Sequence, residues 1–434
     1  MFDRAEAALI ELAATVTPEG STPQATAHQW LHSLAFGFEP YGKNLGITVD
    51  RLNELLENAG ISNSPKTLHS ALKKHFPMMP SSKVGFRFID LFAGIGGMRI
   101  GFQNAGGRCV FSSEFEKNAQ ATYFKNHGDF PFGDITKIPT EAIPEHDVLI
   151  AGFPCQPFSH AGLKLGIDDT RGTLFHDIAR ILEEKQPAVA LLENVKGLIS
   201  HDQGYTLQVI LKTLTRIGYQ CNVPRELIEH GTPKQIQEIA KKMVLKSTDF
   251  GIPQNRQRIY IVLWKNSNNT YFEYPTPLGL PTRVGDILEA KPDPKFTISD
   301  RLWEGHQRRK VVNAENGKGF GFGLVTPDSI YTNTISARYY KDGSEILIAQ
   351  KKGNPRKLTP REAASHLSYS LAYLVRERPS LQKRWLIGCL KTRIPKFAWW
   401  PLVQIGPTTS HCSATLMQSM KGAIAPLPAA YCNC

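Results

Sequence analysis

The spacing of hydrophobic positions changes twice along the chain. Up to about residue 80 they recur at helical intervals. "DRAEAALIELAAT" and "TVDRLNELLENAG" each carry one apolar stripe, the second stopping at Gly60. "SPKTLHSALKKHF" opens on Ser-Pro and closes on basic residues, as the helix dipole favours. The pattern predicts a helical N-terminal extension over residues 1–80. It is compatible with a helix-turn-helix and equally with a packing block that has no ligand of its own. "PMMPSSKVG" (77–85) reads as a linker. From residue 86 short β-forming runs take over: "FRFIDLF", "RCVFSS", "DVLIAGF" and "AVALLEN". Helical stretches such as "GTLFHDIARILEEKQ" and "YTLQVILKTLTRIG" lie between them. Strand–helix alternation predicts an α/β fold with a doubly wound, mostly parallel sheet. "RIYIVLW" (258–264) is a further strand. A Gly-, Pro- and aromatic-rich stretch without helical period follows and predicts a smaller β/loop domain at 270–355.

Composition adds two constraints. The 434 residues, 41% hydrophobic and 21% charged, suit a soluble chain of two or three domains. No run approaches the ~18 consecutive apolar residues of a membrane span. The acid-bearing start "MFDRAEAALIELAAT" does not read as a signal peptide, so a cytoplasmic location with reduced thiols is expected. The net charge of +12 invites a nucleic-acid reading, but +7 of it falls in residues 365–434. That stretch also holds four of the seven cysteines and three of the six tryptophans. Its cysteine spacings match no familiar metal site, and no metal is expected.

Three of the four strands from residue 86 end in chemically loaded loops, at the sheet edge where ligands bind in such folds. "DLFAGIGGMRIGF" (90–102) is a strand, a glycine turn and a helix start, built for close approach of backbone to a ligand. Glu114 ends the next strand, where an acid can accept the hydroxyls of a ribose. The dinucleotide fingerprint fails because its third glycine falls at Arg99, so an adenosine ligand is expected and NAD is not. "GDI" (133–135) offers an acid for an adenine amino group. In "GFPCQPFSHAG" (152–162), Pro154 and Pro157 brace Cys155 at the strand end. A lone cysteine is more often a small core residue, but here Glu193 of "LLENVKGL" ends the adjacent strand, and a positioned thiol with a carboxyl suggests acid-assisted nucleophilic catalysis. "PQNRQRIYIV" (253–262) brings Arg256 and Arg258 to the start of a strand.

Together these loops resemble the DNA cytosine-5 methyltransferases. "FAGIGG" matches that family's cofactor loop and "GFPCQPFS" its catalytic loop. "ENV" and "QNRQRIYIV" match its later motifs in the same order, over residues 86 to about 363. The resemblance implies the S-adenosylmethionine-dependent methyltransferase fold, with a catalytic, cofactor-binding domain at 86–265. It implies S-adenosyl-L-methionine as cofactor, held by Phe92, Gly94, Ile95, Gly96, Gly97 and Pro154, with Glu114 on the ribose and Asp134 and Ile135 on the adenine. Cys155 would be the nucleophile, Glu193 the partner of the cytosine ring, and Arg258 with Arg256 the contacts for its O2 and for the loop. Residues 270–355 resemble the target-recognition segment of bacterial enzymes acting on CCGG- and CCWGG-type sites, with Ser159, Arg338 and Lys341 as DNA contacts. The implied partners are double-stranded DNA and, functionally, a cognate restriction endonuclease; a monomer is expected.

The resemblance weakens after "RKLTPREAA" (356–364), which reads as the start of a returning catalytic-domain segment. A Gly-Asn-Ser turn and closing helix should follow, and residues 365–434 hold neither. An atypical, frameshifted tail is the expectation there. A catalytically impaired DNA-binding protein is then the alternative to an active methylase.

Overall fold

Alternating β-branched and aromatic residues from residue 86 onwards form the strands that pattern predicts. The computed structural model describes residues 1–61, 65–78, 84–154, 173–265, 272–317, 319, 321–336 and 339–366. Contacts divide them into two units. Met1–Val244 and Arg258–Pro275 make the first; Leu245–Gln257 and residues 276–366 make the second.

The first unit is built on strands β1 (Phe86–Leu91), β2 (Gly107–Ser113), β3 (Val148–Gly152), β4 (Val189–Val195) and β5 (Tyr219–Gln220). Two more follow in sequence, β6 (Val244–Lys246) and β7 (Gln257–Lys265). Spatial order runs β2-β1-β3-β4-β7-β5. The first four are mutually parallel, and β7 runs antiparallel between β4 and β5. One sheet face takes Phe86 and Phe88, which pack on Phe102 of α5 (Gly97–Asn104). The other takes Ile89, Leu149, Ala190 and Leu192, in one core with α7 (Leu174–Lys185) and α8 (Tyr205–Arg216). Helices on both faces make the sheet doubly wound, as the strand–helix alternation predicts. The helices expected within "ELIEHGTPKQIQEIAKKMV" are α9 (Arg225–His230) and α10 (Pro233–Ala240), the latter with a capping box from Thr232 and Gln235.

The N-terminal block holds α1 (Phe2–Val16), α2 (Pro23–Phe36), α3 (Val49–Asn58) and α4 (Pro65–His75). The pattern predicts all of these but α2, whose residues Ala25 to Ala35 are all buried, so no stripe marks them. The block shares one hydrophobic core with the sheet. Tyr41 packs on Phe111 of β2 and on Phe132, with ring centroids 6.1 and 4.5 Å away. Gln29 spans the join, donating to the Val110 carbonyl at 3.1 Å and accepting from the Tyr41 N–H at 2.7 Å.

The second unit is mostly loop. Its short strands β8 (Leu324–Val325) and β9 (Leu347–Ile348) pair in parallel. It also holds α12 (Tyr339–Asp342), α13 (Pro360–His366) and a helix the sequence pattern does not signal, α11 (Asp300–Glu315). In α11 only His306 is buried, so it too lacks a stripe. Residues 356–366 pack in this unit: Leu358 joins Val284, Tyr339, Ile346 and Ile348, and Arg356 grips the fully buried Glu362 bidentately at 2.7 and 2.8 Å. Residues 367–434, and with them nearly all of the atypical tail, lie outside the described residues.

Candidate active site

The chain leaves β1 through Phe92, which adopts left-handed geometry at φ 53°, then turns through Gly94 (φ 56°) and Gly96 (φ 88°) into α5. Such a conformation at a bulky residue costs of order 1–3 kcal/mol and persists only where neighbours over-determine it. Here the Ala93 N–H donates to the Ser113 carbonyl and the Gly96 N–H to the Ala93 carbonyl, both at 2.9 Å. The two glycines serve different ends. A Cβ on Gly96 would stand 2.3 Å from Nε2 of His127, so its bareness lets α5 close on α6 (Lys117–His127). A Cβ on Gly94 would meet nothing within 4 Å among the described residues.

Glu114, one residue past β2, holds that loop. One of its carboxylate oxygens accepts the Gly94 N–H and the other the Glu116 N–H, both at 2.7 Å. A carboxylate offers about four lone-pair sites, so about two remain unused among the described residues. Phe115 follows with its ring 77% exposed. The segment from Gly128 to Asp134 returns beside β2. The Phe132 N–H donates to the Ser112 carbonyl at 2.9 Å and the Glu114 N–H to the Phe132 carbonyl at 2.8 Å. Asp134 then caps a short helical turn through Thr136, leaving its second oxygen without a hydrogen-bond partner among the described residues. Glu114 and Asp134 thus sit at one end of the sheet.

Beneath the loop lies Asp90, buried, with neither oxygen hydrogen-bonded. Burial pushes its carboxyl well above the ordinary range, despite the opposing charge of Arg99. Arg99 itself fills the place of the missing third glycine. Its guanidinium is buried and bonds Asp129 at 2.7 Å, the Tyr123 hydroxyl at 2.8 Å and Gln103 at 2.6 Å, tying α5 to α6 and to the 128–134 segment.

The second half of the site is at the ends of β3 and β4. Glu193 lies in register with Gly152 and Tyr260. One oxygen of Glu193 accepts from Nε of Arg258 on β7 at 3.0 Å, with both side chains mostly buried. Its other oxygen lies over Gly152, 3.5 Å from where a Cβ would be, and the Met98 methyl of α5 reaches the same point at 3.4 Å. The first turn of α5 and the Glu193 carboxylate therefore converge on Gly152. Asn194 is buried and donates to the Phe153 carbonyl at 3.0 Å, fixing the backbone just before Pro154 and Cys155.

The family described as C-5 cytosine-specific DNA methylase matches residues 86–388. Type II methyltransferase M.SsoII of Shigella sonnei is 55% identical over 293 residues, spanning 66% of this chain and 72% of the relative. Type II methyltransferase M.NlaX of Neisseria lactamica is 58% identical over 282 residues, 64% of this chain and 84% of the relative. Type II methyltransferase M.HpaII of Haemophilus parainfluenzae is 40% identical over 314 residues, 68% and 83%. The chain belongs to the C-5 cytosine-specific DNA methylases. It is a DNA cytosine methyltransferase.

In this methylase the first unit brings together Phe92, Gly94, Ile95, Gly96, Gly97, Glu114, Asp134, Ile135, Pro154, Glu193 and Arg258, all at the carboxyl edge of the parallel strands. Arg256 belongs to the second unit, where its carbonyl accepts the Ser247 N–H at 2.9 Å. The neighbouring loop is clamped there: the Asn255 N–H donates to the Thr332 carbonyl at 2.8 Å and the Thr334 hydroxyl to the Asn255 carbonyl at 3.1 Å. Lys341 is exposed beside the exposed ring of Tyr340, 5.9 Å from its centroid. Cys155, Ser159 and Arg338 lie outside the described residues. Sequence reasoning missed Phe115, Met98, Asp90 and the tie made by Asn194. For Phe115 the signal was an aromatic directly after the strand-end acid. No helix among the described residues is long and apolar enough to cross a membrane.

Proposed function

We propose that this methylase transfers the methyl group of S-adenosylmethionine to C5 of a cytosine flipped out of a short, C/G-rich site in double-stranded DNA. It acts as a cytoplasmic monomer and protects that DNA from a cognate restriction endonuclease. The observation that carries the reading is the convergence of Met98 and the Glu193 carboxylate over Gly152, with Arg258 bound to that carboxylate. It brings the cofactor-loop helix and a ring-binding acid to one point.

The residues fit an adenosine-bearing sulfonium. The bare face of Gly94, the spare lone pairs of Glu114, the uncommitted oxygen of Asp134 and the exposed Phe115 ring offer, in turn, a close backbone approach, ribose acceptors, an adenine amino acceptor and a stacking surface. The bound sulfonium supplies an electrophilic methyl. Phe92, Gly94, Ile95, Gly96, Gly97 and Pro154 line its cradle, and Ile135 sits on the adenine side. Cys155, as thiolate, adds to C6 of the cytosine and makes C5 nucleophilic. Glu193 holds N3 and the exocyclic amine as the ring takes up electrons, and Arg258 orients Glu193 and reaches O2. After methyl transfer a base takes the C5 proton and the S–C6 bond breaks, freeing the thiol. A stacked base cannot present C6 to a thiol, so flipping is required.

The second unit reads the site, with Lys341 and Arg338 as cation contacts and Ser159 on the catalytic loop. The exposed Tyr340–Lys341 pair and the Type II names of the relatives support this part.

The test is tritiated methyl transfer to unmethylated DNA and trapping on 5-fluorocytosine DNA. Cys155→Ser should abolish transfer and the covalent trap while retaining DNA binding. An active serine variant, or a crosslink at another residue, refutes the assignment.

A further inference from the structure

The segment Gly128–Asp134, which runs into the adenine-side turn, is moulded by the N-terminal helices along its length. The Phe76 ring, just past α4, lies so close to Gly128 that a Cβ there would stand 2.2 Å away. His32 of α2 donates from Nε2 to the Gly128 carbonyl at 2.9 Å. His28 accepts the Phe130 N–H on Nδ1 at 3.3 Å while its Nε2 holds Glu6 at 3.0 Å. The Tyr41 ring packs on Phe132. Ser21, in the loop between α1 and α2, accepts the Gly133 N–H on its hydroxyl at 2.9 Å.

The last contact is the tightest. A Cβ on Gly133 would fall 1.8 Å from the Gly20 carbonyl oxygen, so no side chain fits there. Gly20, at φ 78°, turns its own bare face to Asp134, where a Cβ would lie 3.2 Å from the Asp134 Cβ. The α1–α2 loop therefore touches the two residues that set where the Asp134 carboxylate stands. Besides Arg99 on Asp129, the Gly128 N–H on the Phe124 carbonyl of α6, the two backbone bonds at Phe132 and the local bonds of Asp134 to Thr136 and Lys137, the described hydrogen bonds that fix this segment come from the N-terminal block.

We propose that the N-terminal block is a working part of the cofactor site: it holds the Gly133-Asp134-Ile135 turn at the adenine, and Ser21 is its positioning residue. The inference rests on the reading that Asp134 and Ile135 meet the adenine of S-adenosylmethionine. The block is then no detachable module, because removing it frees the turn.

The experiment titrates the full chain with S-adenosylmethionine, and separately with S-adenosylhomocysteine, by calorimetry. Wild type, Ser21→Ala and Ser21→Thr are compared, with amide exchange of Gly133 followed in the free proteins. Losing one hydrogen bond to a backbone N–H should raise both dissociation constants about five-fold in Ser21→Ala. The Gly133 amide should exchange faster, the thermal midpoint should hardly move, and Ser21→Thr should restore wild-type values. If wild type binds and Ser21→Ala binds equally well, the positioning role is overturned and the cofactor reading stands. If Ser21→Thr fails to restore binding, the hydroxyl is not the acting group and the role of Ser21 falls. If wild type binds neither ligand, the cofactor reading fails and takes the inference with it.

Discussion

Replacing Asp129 by Asn removes one charge from one of the two most enclosed ion pairs among the described residues and keeps its shape. Arg99 is 1% exposed and Asp129 9%, at 2.7 Å. At an effective dielectric of about 20 the gross attraction is about 6 kcal/mol, set against a desolvation cost of several kcal/mol for each ion. The net worth of the pair is therefore small. Breaking it is not, because the guanidinium stays buried with its charge uncompensated. Tyr123 and Gln103 still accept its hydrogen bonds, so the loss is electrostatic. Such losses run to about 3–5 kcal/mol, a large fraction of the ~5–15 kcal/mol that holds a domain folded. By contrast the exposed Lys137–Glu19 pair, 3.7 Å apart, should be worth ~0–1 kcal/mol.

Urea unfolding followed by far-UV circular dichroism measures the difference. With a slope of about 3 kcal/mol per molar, Asp129→Asn should lower the midpoint by about 1 M or more. Arg99→Met with Asp129→Leu removes both charges and should recover at least half of that. A shift under ~0.3 M for the single variant would mean the pair behaves like a surface bridge. A double variant no better than the single would show that the charge was not the cause.

Two further outcomes follow from the site and from the buried histidines. Arg258→Ala should lower kcat by about 10- to 100-fold while the cofactor dissociation constant stays put, since Arg258 orients Glu193 at 3.0 Å and has no role in the cradle; a kcat near wild type in steady-state methyl transfer would remove it from the mechanism. Burial holds His32 and His146 at about 4, below the ordinary value near 6.5, so each is neutral in the fold and takes up a proton on unfolding. The stability they confer is complete above pH 6.5 and disappears as the pH falls towards 4, about 2 kcal/mol each by pH 5. Burial pushes His127 down in the same way, so urea midpoints at pH 7 and pH 5 should show the loss from all three, and His146→Gln should remove about a third of it; a midpoint flat across this range contradicts the burial argument.

The parallel sheet was legible because buried parallel strands are short apolar runs between amphipathic helices, and α7 and α8 each expose one face. The two missed helices fail that test from opposite directions. Every residue of α2 from Ala25 to Ala35 is buried, polar ones included, so its pattern has no contrast. In α11 only His306 is buried and most residues are exposed, with the same result. Their boundaries were still written in the sequence. Thr22-Pro23 and Gly37 bracket α2, and Ser299, whose hydroxyl accepts the Leu302 N–H, opens α11. Capping signals survive where periodicity vanishes, because they concern the helix end and not the surface it faces.

The site was legible wherever chemistry and backbone shape fall in one short stretch, as in "DLFAGIGG" and "LLENV". What adjoining letters cannot convey is which constraint each letter answers. Gly94 and Gly96 look equivalent in the motif, yet a Cβ on the first would meet nothing within 4 Å among the described residues, and the second is bare because the His127 ring stands behind it. Arg99 looked like a failed third glycine and is instead the buried cation that binds α5 to the segment Gly128–Asp134. The contacts that mould this segment join residues about a hundred apart: His32 to Gly128, His28 to Phe130, Ser21 to Gly133. Local spacing holds no trace of them. Their one visible mark was polar residues crowded into a short N-terminal helix, Thr26, His28, Gln29, His32 and Ser33, every one buried. Buried polar groups require partners. A helix so rich in them must dock against groups that need donors and acceptors: His28 and His32 meet the segment carrying Asp134, and Gln29 meets the Val110 carbonyl and the turn at Glu39 and Tyr41.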